Sequence, residues 1–157
     1  EQPNNGDMFT YVLDKSPQKE TIINGIAAKA GMKRYECMPK NSNATYLGIK
    51  KHGEDYVYPS VTKWLRSFID AKLVVTDSFH GTAFSIIFNK PFFVLINKER
   101  GAARFTSLLH LFGLEDRIIT SAEEADMKKA IDWDAVNAKK KKWQEESKTF
   151  LENALKK

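Results

Sequence analysis

Residues 77–82 (DSFHGT) place hydroxyl groups, an imidazole and a glycine directly after an apolar run. If that run is a strand and a helix follows it, the turn offers free backbone N–H groups and a helix dipole, which favour a phosphate or carboxylate. Gly81 would let the backbone approach such an anion closely, and Ser78 and Thr82 add hydroxyl donors. His80 can donate to the anion or move a proton during a reaction. The segment therefore predicts an anion-binding turn.

Two other polar segments also follow apolar runs, residues 14–16 (DKS) and residues 97–101 (NKERG). In open parallel sheets ligands bind outside the carboxyl ends of the strands, so all three segments are expected at one edge. Arg104, in the helix after the second of these segments, either faces the same cleft or forms a surface salt bridge. Asp77 is expected to brace its turn by accepting hydrogen bonds from backbone N–H groups.

The remaining candidate residues are given structural interpretations. His52 lies in a polar segment and His110 on an amphipathic helix, so both are interpreted as structural or solvent-facing. Cys37 is the only cysteine; it excludes internal disulfides, is typical of a reducing compartment, and is interpreted as a small half-buried filler. No His/Cys cluster has metal-ligand spacing and no GxxxxGK[ST] fingerprint is present. Neither a metal nor a nicotinamide cofactor is expected.

Short apolar runs alternate with helical segments along the chain, which predicts a parallel α/β sheet. Strands are predicted at residues 9–13, 34–38, 73–76, 91–96 and 117–120. Helices are predicted at residues 17–30, from 61 onward, at 82–88, 102–112 and 121–130, and from about 134 to the end. Residues 40–58 are polar and are interpreted as a loop that carries one short strand around residues 45–49.

Capping residues support the helix boundaries. Ser16 is the expected N-cap of the first helix, with Pro17 at its first position and Gly31 at its end. Ser60 is the expected N-cap of the next helix, and Gly113 the end of a later one. The buried side of the helix after Ser60 is predicted to carry Trp64, Leu65, Phe68 and Ile69.

The last helix has apolar residues at heptad-like spacing, so it is expected to pack across the domain or onto a neighbouring molecule. These residues are Val136, Trp143, Phe150, Leu151, Ala154 and Leu155. Residues 1–157 are together predicted to form a single Rossmann-like domain, a parallel sheet flanked by helices and finished by this long helix.

Composition excludes several classes of protein. A chain of 157 residues with 42% hydrophobic and 29% charged residues is typical of one globular domain. No apolar run is long enough to cross a bilayer, and residues 1–8 lack the features of a signal peptide. The formal charge of +5 comes largely from residues 139–142 and the final two lysines. Because no nucleic-acid-binding signature accompanies them, these lysines are interpreted as a solvated helix face.

Residues 74–95 (VVTDSFHGTAFSIIFNKPFFVL) resemble the hallmark segment of the polysaccharide pyruvyl transferase family. The resemblance extends upstream through residues 60–72 (SVTKWLRSFIDAK) and downstream through residues 100–119 (RGAARFTSLLHLFGLEDRII). It implies the C-terminal half of a GT-B-like enzyme whose active site lies between two Rossmann-like halves. The N-terminal half would then be a partner of this chain.

The family resemblance also implies site residues. His80 matches the family histidine that binds phosphoenolpyruvate and is a candidate general acid. A basic position that is lysine in some members falls on Arg100, and Lys98 is the alternative donor. Arginine can clamp a carboxylate or phosphate with two hydrogen bonds. A further arginine of the family that binds phosphoenolpyruvate belongs to the N-terminal half and has no counterpart here, so the isolated chain is expected to be inactive.

The expected function is transfer of the enolpyruvyl group of phosphoenolpyruvate to two sugar hydroxyls, which forms a pyruvate ketal. By resemblance, the setting is exopolysaccharide or cell-wall polymer synthesis in a bacterial cytoplasm, with a glycan or lipid-linked sugar as acceptor and no cofactor. One alternative is a GT-B glycosyltransferase that uses a nucleotide sugar, for which Glu99 is the nearby ribose-binding candidate. The other alternative is a non-catalytic module that binds phosphate or sugar.

Overall fold

A computed structural model describes residues 6–39, 52–96 and 102–156 of the chain. Its elements in chain order are β1 (Met8–Tyr11), α1 (Pro17–Ala30), β2 (Arg34–Glu36), a 3-10 helix (Gly53–Tyr56), α2 (Val61–Asp70), β3 (Leu73–Thr76), α3 (Phe79–Ile87), β4 (Phe92–Leu95), α4 (Ala102–Phe112), a 3-10 helix (Glu115–Arg117), β5 (Ile118–Ile119) and α5 (Trp133–Leu155). The predicted strand around residues 45–49 lies outside the described residues.

The described strands form one parallel sheet in the order β2-β1-β3-β4-β5. The register pairs Met8 with Leu73 across β1 and β3, and Val74 with Phe92 across β3 and β4. All four residues of β3 are buried, as expected for the central strand of a sheet covered on both faces. The predicted parallel α/β architecture is confirmed.

Helices cover both faces of the sheet. Ile23 and Ile26 of α1 pack on one face. The other face is covered by α2 to α5, which contribute Phe68, Ile86, Phe105, Leu109 and Val136 to its core. Since α1 and α3 leave the neighbouring strands β1 and β3 toward opposite faces, the crevice between these strand ends is the topological switch point of the sheet, where ligands of such folds bind.

The predicted helix caps of α1 and α4 are confirmed. The Ser16 side chain accepts a hydrogen bond from the Lys19 N–H at 3.2 Å, and Pro17 opens the helix. Gly31 closes it with a φ of 62°, a left-handed conformation that glycine adopts without a Cβ penalty. α4 is likewise followed by Gly113 with a φ of 72°.

Two predicted boundaries around the central strands were wrong. α3 begins at Phe79 rather than at residue 82, because Ser78 already caps it, and His80 therefore lies in the first helical turn. β1 ends at Tyr11 rather than at Leu13. The N–H groups of Leu13 and Asp14 bind the Asp77 carboxylate instead of a strand.

The helix predicted at residues 121–130 was also wrong, since this segment forms turns. The Lys29 ammonium donates to the carbonyl oxygens of Glu123 at 3.2 Å and Ala125 at 2.7 Å. The Glu124 carboxylate accepts from the N–H of Thr120 at 2.7 Å. Carbonyl groups that a helix would bond internally are thus satisfied by a side chain of α1.

The apolar faces of two helices differ from prediction. Ile69 of α2 is 45% exposed, and Ser67 takes a buried position beside Phe68. Only Val136 of the heptad-like set in α5 is fully buried. Trp143, Phe150, Leu151 and Leu155 are exposed. α5 therefore packs across the domain through its first part, where Lys140 donates to Ile87 O at 3.3 Å. No helix within residues 6–39, 52–96 and 102–156 is long and apolar enough to span a membrane.

Candidate functional site

The turn between β3 and α3 is held together by its own side chains. The Ser78 N–H donates to Thr76 Oγ1 at 3.0 Å, and Ser78 Oγ accepts from the Gly81 N–H at 3.4 Å. Thr76 Oγ1 also donates to the carbonyl oxygen of Tyr11 on β1 at 2.6 Å. The turn is therefore attached to two strands and capped, and Ser78 is 4% exposed.

Gly81 and Thr82 have packing roles in this turn. A Cβ at Gly81 would overlap the Thr76 hydroxyl, so glycine is required for close helix–strand contact, not only for the approach of an anion. Thr82 is fully buried and its hydroxyl donates to Ser78 O at 3.1 Å. Substrate contact by Ser78, Gly81 and Thr82 stays a prediction, while the structure shows what they do for the turn.

His80 is the exposed member of this segment. Its ring lies beside that of Phe79, with centroids 6.0 Å apart and planes at 84°. None of the described residues forms a hydrogen bond with its ring nitrogens or accepts from its backbone N–H, which belongs to the first turn of α3. An exposed imidazole and an unbonded N–H at a helix N-terminus suit an anionic ligand.

Arg104 lies close to the same turn through Phe79. Its guanidinium carbon is 5.9 Å from the centre of the Phe79 ring, in cation–π range. Arg104 is exposed, and no acidic side chain among the described residues pairs with it. The sequence left two interpretations of Arg104, a place at the cleft or a surface salt bridge, and the described residues form no such salt bridge with it. Lys98 and Arg100 lie outside the described residues, so their convergence with His80 stays a prediction.

Asp77 fills the crevice at the switch point. Its two carboxylate oxygens accept from the N–H groups of Leu13 at 2.7 Å and Asp14 at 3.0 Å. The Lys19 ammonium is 2.6 Å from Oδ2 of Asp77. The Asp77 side chain is 2% exposed and the Lys19 side chain is 13% exposed. Asp77 does accept hydrogen bonds from backbone N–H groups, as predicted, but these belong to the loop after β1, so it braces that loop and not its own turn. Sequence reasoning missed Lys19, whose only signal is its place in the first turn of the helix that follows β1.

A cavity of about 450 Å³ lies on the α1 side of the same edge. Its walls come from the loop after β1 and the start of α1, and its floor from the ends of β4 and β5. The lining residues are Asp14, Lys15, Ser16, Gln18, Lys19, Ile22, Leu95, Ile96, Ile119 and Thr120. Residues 14–16 thus do line a ligand-sized space, as their position predicted, whereas Gln18 and Thr120 were missed.

Within the part of the chain that the structure describes, one group of side chains could offer ligands to a cation. The ligand atoms of His52, Glu54 and Asp55 lie within 4.8 Å of one another around the first 3-10 helix. His52 and Glu54 are exposed, and such acidic surface groups are common without an ion.

Comparison with known proteins places this chain in a family. A family model described as polysaccharide pyruvyl transferase matches residues 13–99, more than half of the chain. The matched range contains the loop after β1, the switch-point pair and the His80 turn. Neither the comparison with curated proteins nor that with solved structures gave a match.

Proposed function

Because this chain belongs to the polysaccharide pyruvyl transferase family, we propose that its His80 turn binds phosphoenolpyruvate in a ketal-forming pyruvyl transfer. The observation that carries the proposal is the exposed His80 in the first turn of α3, at the carboxyl end of the central strand, whose ring nitrogens have no hydrogen-bond partner among the described residues. Each charge-assisted hydrogen bond to such an anion contributes roughly 1.5–3 kcal/mol.

The chemistry needs one proton donor and a cradle for a leaving phosphate. Protonation of the enolpyruvyl methylene makes an oxocarbenium-like carbon, which two sugar hydroxyls attack in turn. Each hydroxyl loses its proton as its C–O bond forms, and the C–O bond to phosphate breaks with the electron pair leaving on the phosphate. Donors aimed at the phosphate stabilise the charge that develops on it. We assign the α3 N-terminus and Arg104 to the phosphate, and His80 to proton donation.

Lys98 and Arg100 complete the proposed donor site. Both follow β4, whose end adjoins that of β3 in the sheet. Loops that follow neighbouring parallel strands lie side by side, so a long side chain from one reaches a ligand held by the other. Arginine at position 100 would clamp the carboxylate or phosphate of the donor with two hydrogen bonds.

The test is steady-state kinetics of the full-length protein with phosphoenolpyruvate varied and a glycan acceptor saturating. His80→Ala should lower kcat by about a hundredfold or more, the usual contribution of a positioned acid, with a smaller change in KM. His80→Gln, which keeps a hydrogen-bond donor but cannot release a proton at neutral pH, should recover the KM and not the kcat.

The matched control is His110→Ala, since the His110 side chain is 80% exposed on another helix and bonds only Glu115 among the described residues. His110→Ala should leave both kcat and KM unchanged. If His80→Ala had the kcat of the wild type, His80 would take no part in the reaction and would have only a structural role in the turn. Binding of phosphoenolpyruvate without turnover by the wild-type full-length protein would point to a binding module.

A further inference from the structure

The cavity on the α1 side of the carboxyl edge, hereafter the α1-side cavity, has the size of a small-molecule site. Its volume of about 450 Å³ falls within the range of roughly 300–1,000 Å³ that such sites occupy. It is separate from the His80 turn, because neither His80 nor its neighbours in α3 line it. The Asp77–Lys19 pair at the switch point connects the two places, since Lys19 lines the cavity and Asp77 directly precedes Ser78.

The lining of the α1-side cavity divides into an apolar floor and a polar rim. Ile22 and the ends of β4 and β5 form the floor, where Leu95 and Ile119 are each only 2% exposed. Lys15, Gln18 and other polar residues form the rim. Six of the ten described lining residues are polar, so the cavity is more polar than a typical small-molecule site and suits a ligand rich in hydrogen-bonding groups.

Charge decides which class of ligand suits the α1-side cavity. Both lysines that line it already have carboxylate partners: Lys15 lies 2.8 Å from Glu36, and Lys19 lies 2.6 Å from Asp77. Among the described lining residues, therefore, no positive charge is left uncompensated for an anion, in contrast to the exposed Arg104 beside the His80 turn.

A sugar ring matches both the lining and the charge. Its C–H faces are apolar and suit the isoleucine and leucine floor, while its hydroxyls both donate and accept. The rim offers an ammonium donor at Lys15, and both a donor and an acceptor at the Gln18 amide. A neutral ligand rich in hydroxyls can use paired charges of this kind without having to neutralise them.

We infer that the α1-side cavity binds a neutral sugar residue. Its assignment to the acceptor of the transfer rests on the proposed function, whereas the class of ligand rests on the cavity alone. A sugar held there lies at the same sheet edge as the anion at the His80 turn, on the other side of the Asp77–Lys19 pair.

The experiment is an NMR titration of the backbone amides of this chain. The probes are the methyl glycosides of glucose, galactose, mannose and N-acetylglucosamine, and separately inorganic phosphate. At least one glycoside should shift the amides of Gln18, Ile119 and Thr120 with a millimolar Kd and leave those of Phe79 and His80 in place. If no glycoside shifts the cavity amides, or if phosphate shifts them, the inference is overturned.

A double variant tests whether the rim makes the contacts. Lys15→Met with Gln18→Met removes one charged and one neutral hydrogen-bonding group and should weaken glycoside binding by at least about tenfold. The fold should survive, because Glu36 keeps its bond to Arg34 at 2.6 Å and Gln18 is exposed. Gln144→Met, on the exposed surface of α5, is the matched control and should bind as the wild type does. Equal binding by the double variant would overturn the inference.

The titration with inorganic phosphate distinguishes the proposed donor site at the His80 turn from the proposed sugar site in the α1-side cavity. Phosphate that shifts Phe79 and His80 supports the donor site of the proposed function whatever the glycosides do. Glycoside shifts at the cavity without phosphate shifts at His80 would support the sugar site and count against the donor site.

Discussion

Asp77 and Lys19 form a nearly buried ion pair that also satisfies two backbone N–H groups. Removing one partner of such a pair leaves the other charge buried without compensation, which costs more than the intact pair contributes. At the scale of single residues, this pair decides how the loop after β1 lies against the His80 turn.

Asp77→Asn should therefore lower the free energy of unfolding by about 3 kcal/mol, because the Lys19 ammonium loses its counter-ion in a site with little water. Urea denaturation followed by circular dichroism measures the change. Asp134→Asn, on the exposed first turn of α5, is the matched control and should cost less than about 0.5 kcal/mol. Similar losses in both variants would show that the buried pair contributes no more than a surface carboxylate.

At the scale of elements, α3 meets β3 through Gly81 and Thr76. The Thr76 hydroxyl donates to Tyr11 O and accepts from the Ser78 N–H, so it cannot rotate away without losing both bonds. A methyl group at position 81 would have to displace it.

Gly81→Ala is accordingly expected to lower the free energy of unfolding by about 1–3 kcal/mol, the usual cost of overpacking. Gly53→Ala is the control, since a Cβ there meets nothing within 4 Å. Thermal unfolding of the two variants compares them directly. A Gly81→Ala variant as stable as its control would mean that α3 shifts freely on the sheet.

Another contact between elements depends on pH. Arg34 on β2 donates to Glu20 of α1 at 2.7 Å, and this hydrogen bond holds the pKa of Glu20 below its ordinary 4.5. A depressed carboxyl pKa contributes stability above the unfolded-state pKa, and this contribution is lost as the pH falls through the folded-state value.

Glu20→Gln should thus destabilise the protein at neutral pH by about 0.5 kcal/mol, a small value because the side chain is 38% exposed and solvent screens the pair. The difference from the wild type should disappear at a pH well below 4.5. Glu145→Gln on α5 serves as the control in urea denaturation at both pH values. A difference that persisted in acid would assign the effect to packing instead of charge.

At the scale of the whole molecule, the described residues build one sheet edge that carries the exposed His80 turn, with Arg104 beside it, and the α1-side cavity. The family resemblance assigns a further arginine that binds phosphoenolpyruvate to an N-terminal half. We therefore expect these 157 residues alone to bind phosphate without catalysing pyruvyl transfer. Phosphate release from phosphoenolpyruvate in the presence of glycoside acceptors measures this, with the full-length protein as the positive control. Turnover by the isolated chain would show that it forms a complete site, for example by dimerising.

The sequence by itself determined the class of fold and the position of the polar turn after β3. The run of apolar residues in β3, the Ser16 cap and Gly31 act within a few residues of themselves, so their meaning does not depend on distant contacts. The same holds for the DSFHGT segment, whose placement after a buried strand followed from the local pattern alone.

Only the tertiary structure decided which hydrogen-bond and ion-pair partners the polar residues have. Lys19 and Asp77 are 58 positions apart, and Lys29 reaches Ala125 across 96 positions. The Asp77 carboxylate bonds the N–H groups of the loop after β1, so the strand ends early. The Lys29 bond holds residues 121–130 as turns, where the local pattern predicted a helix. Capping and periodicity act along the chain, whereas a long ammonium side chain bonds whichever oxygen the packed sheet brings near it. The cavity beside α1 arises in the same way, since its floor comes from strands that meet the start of α1 only after folding.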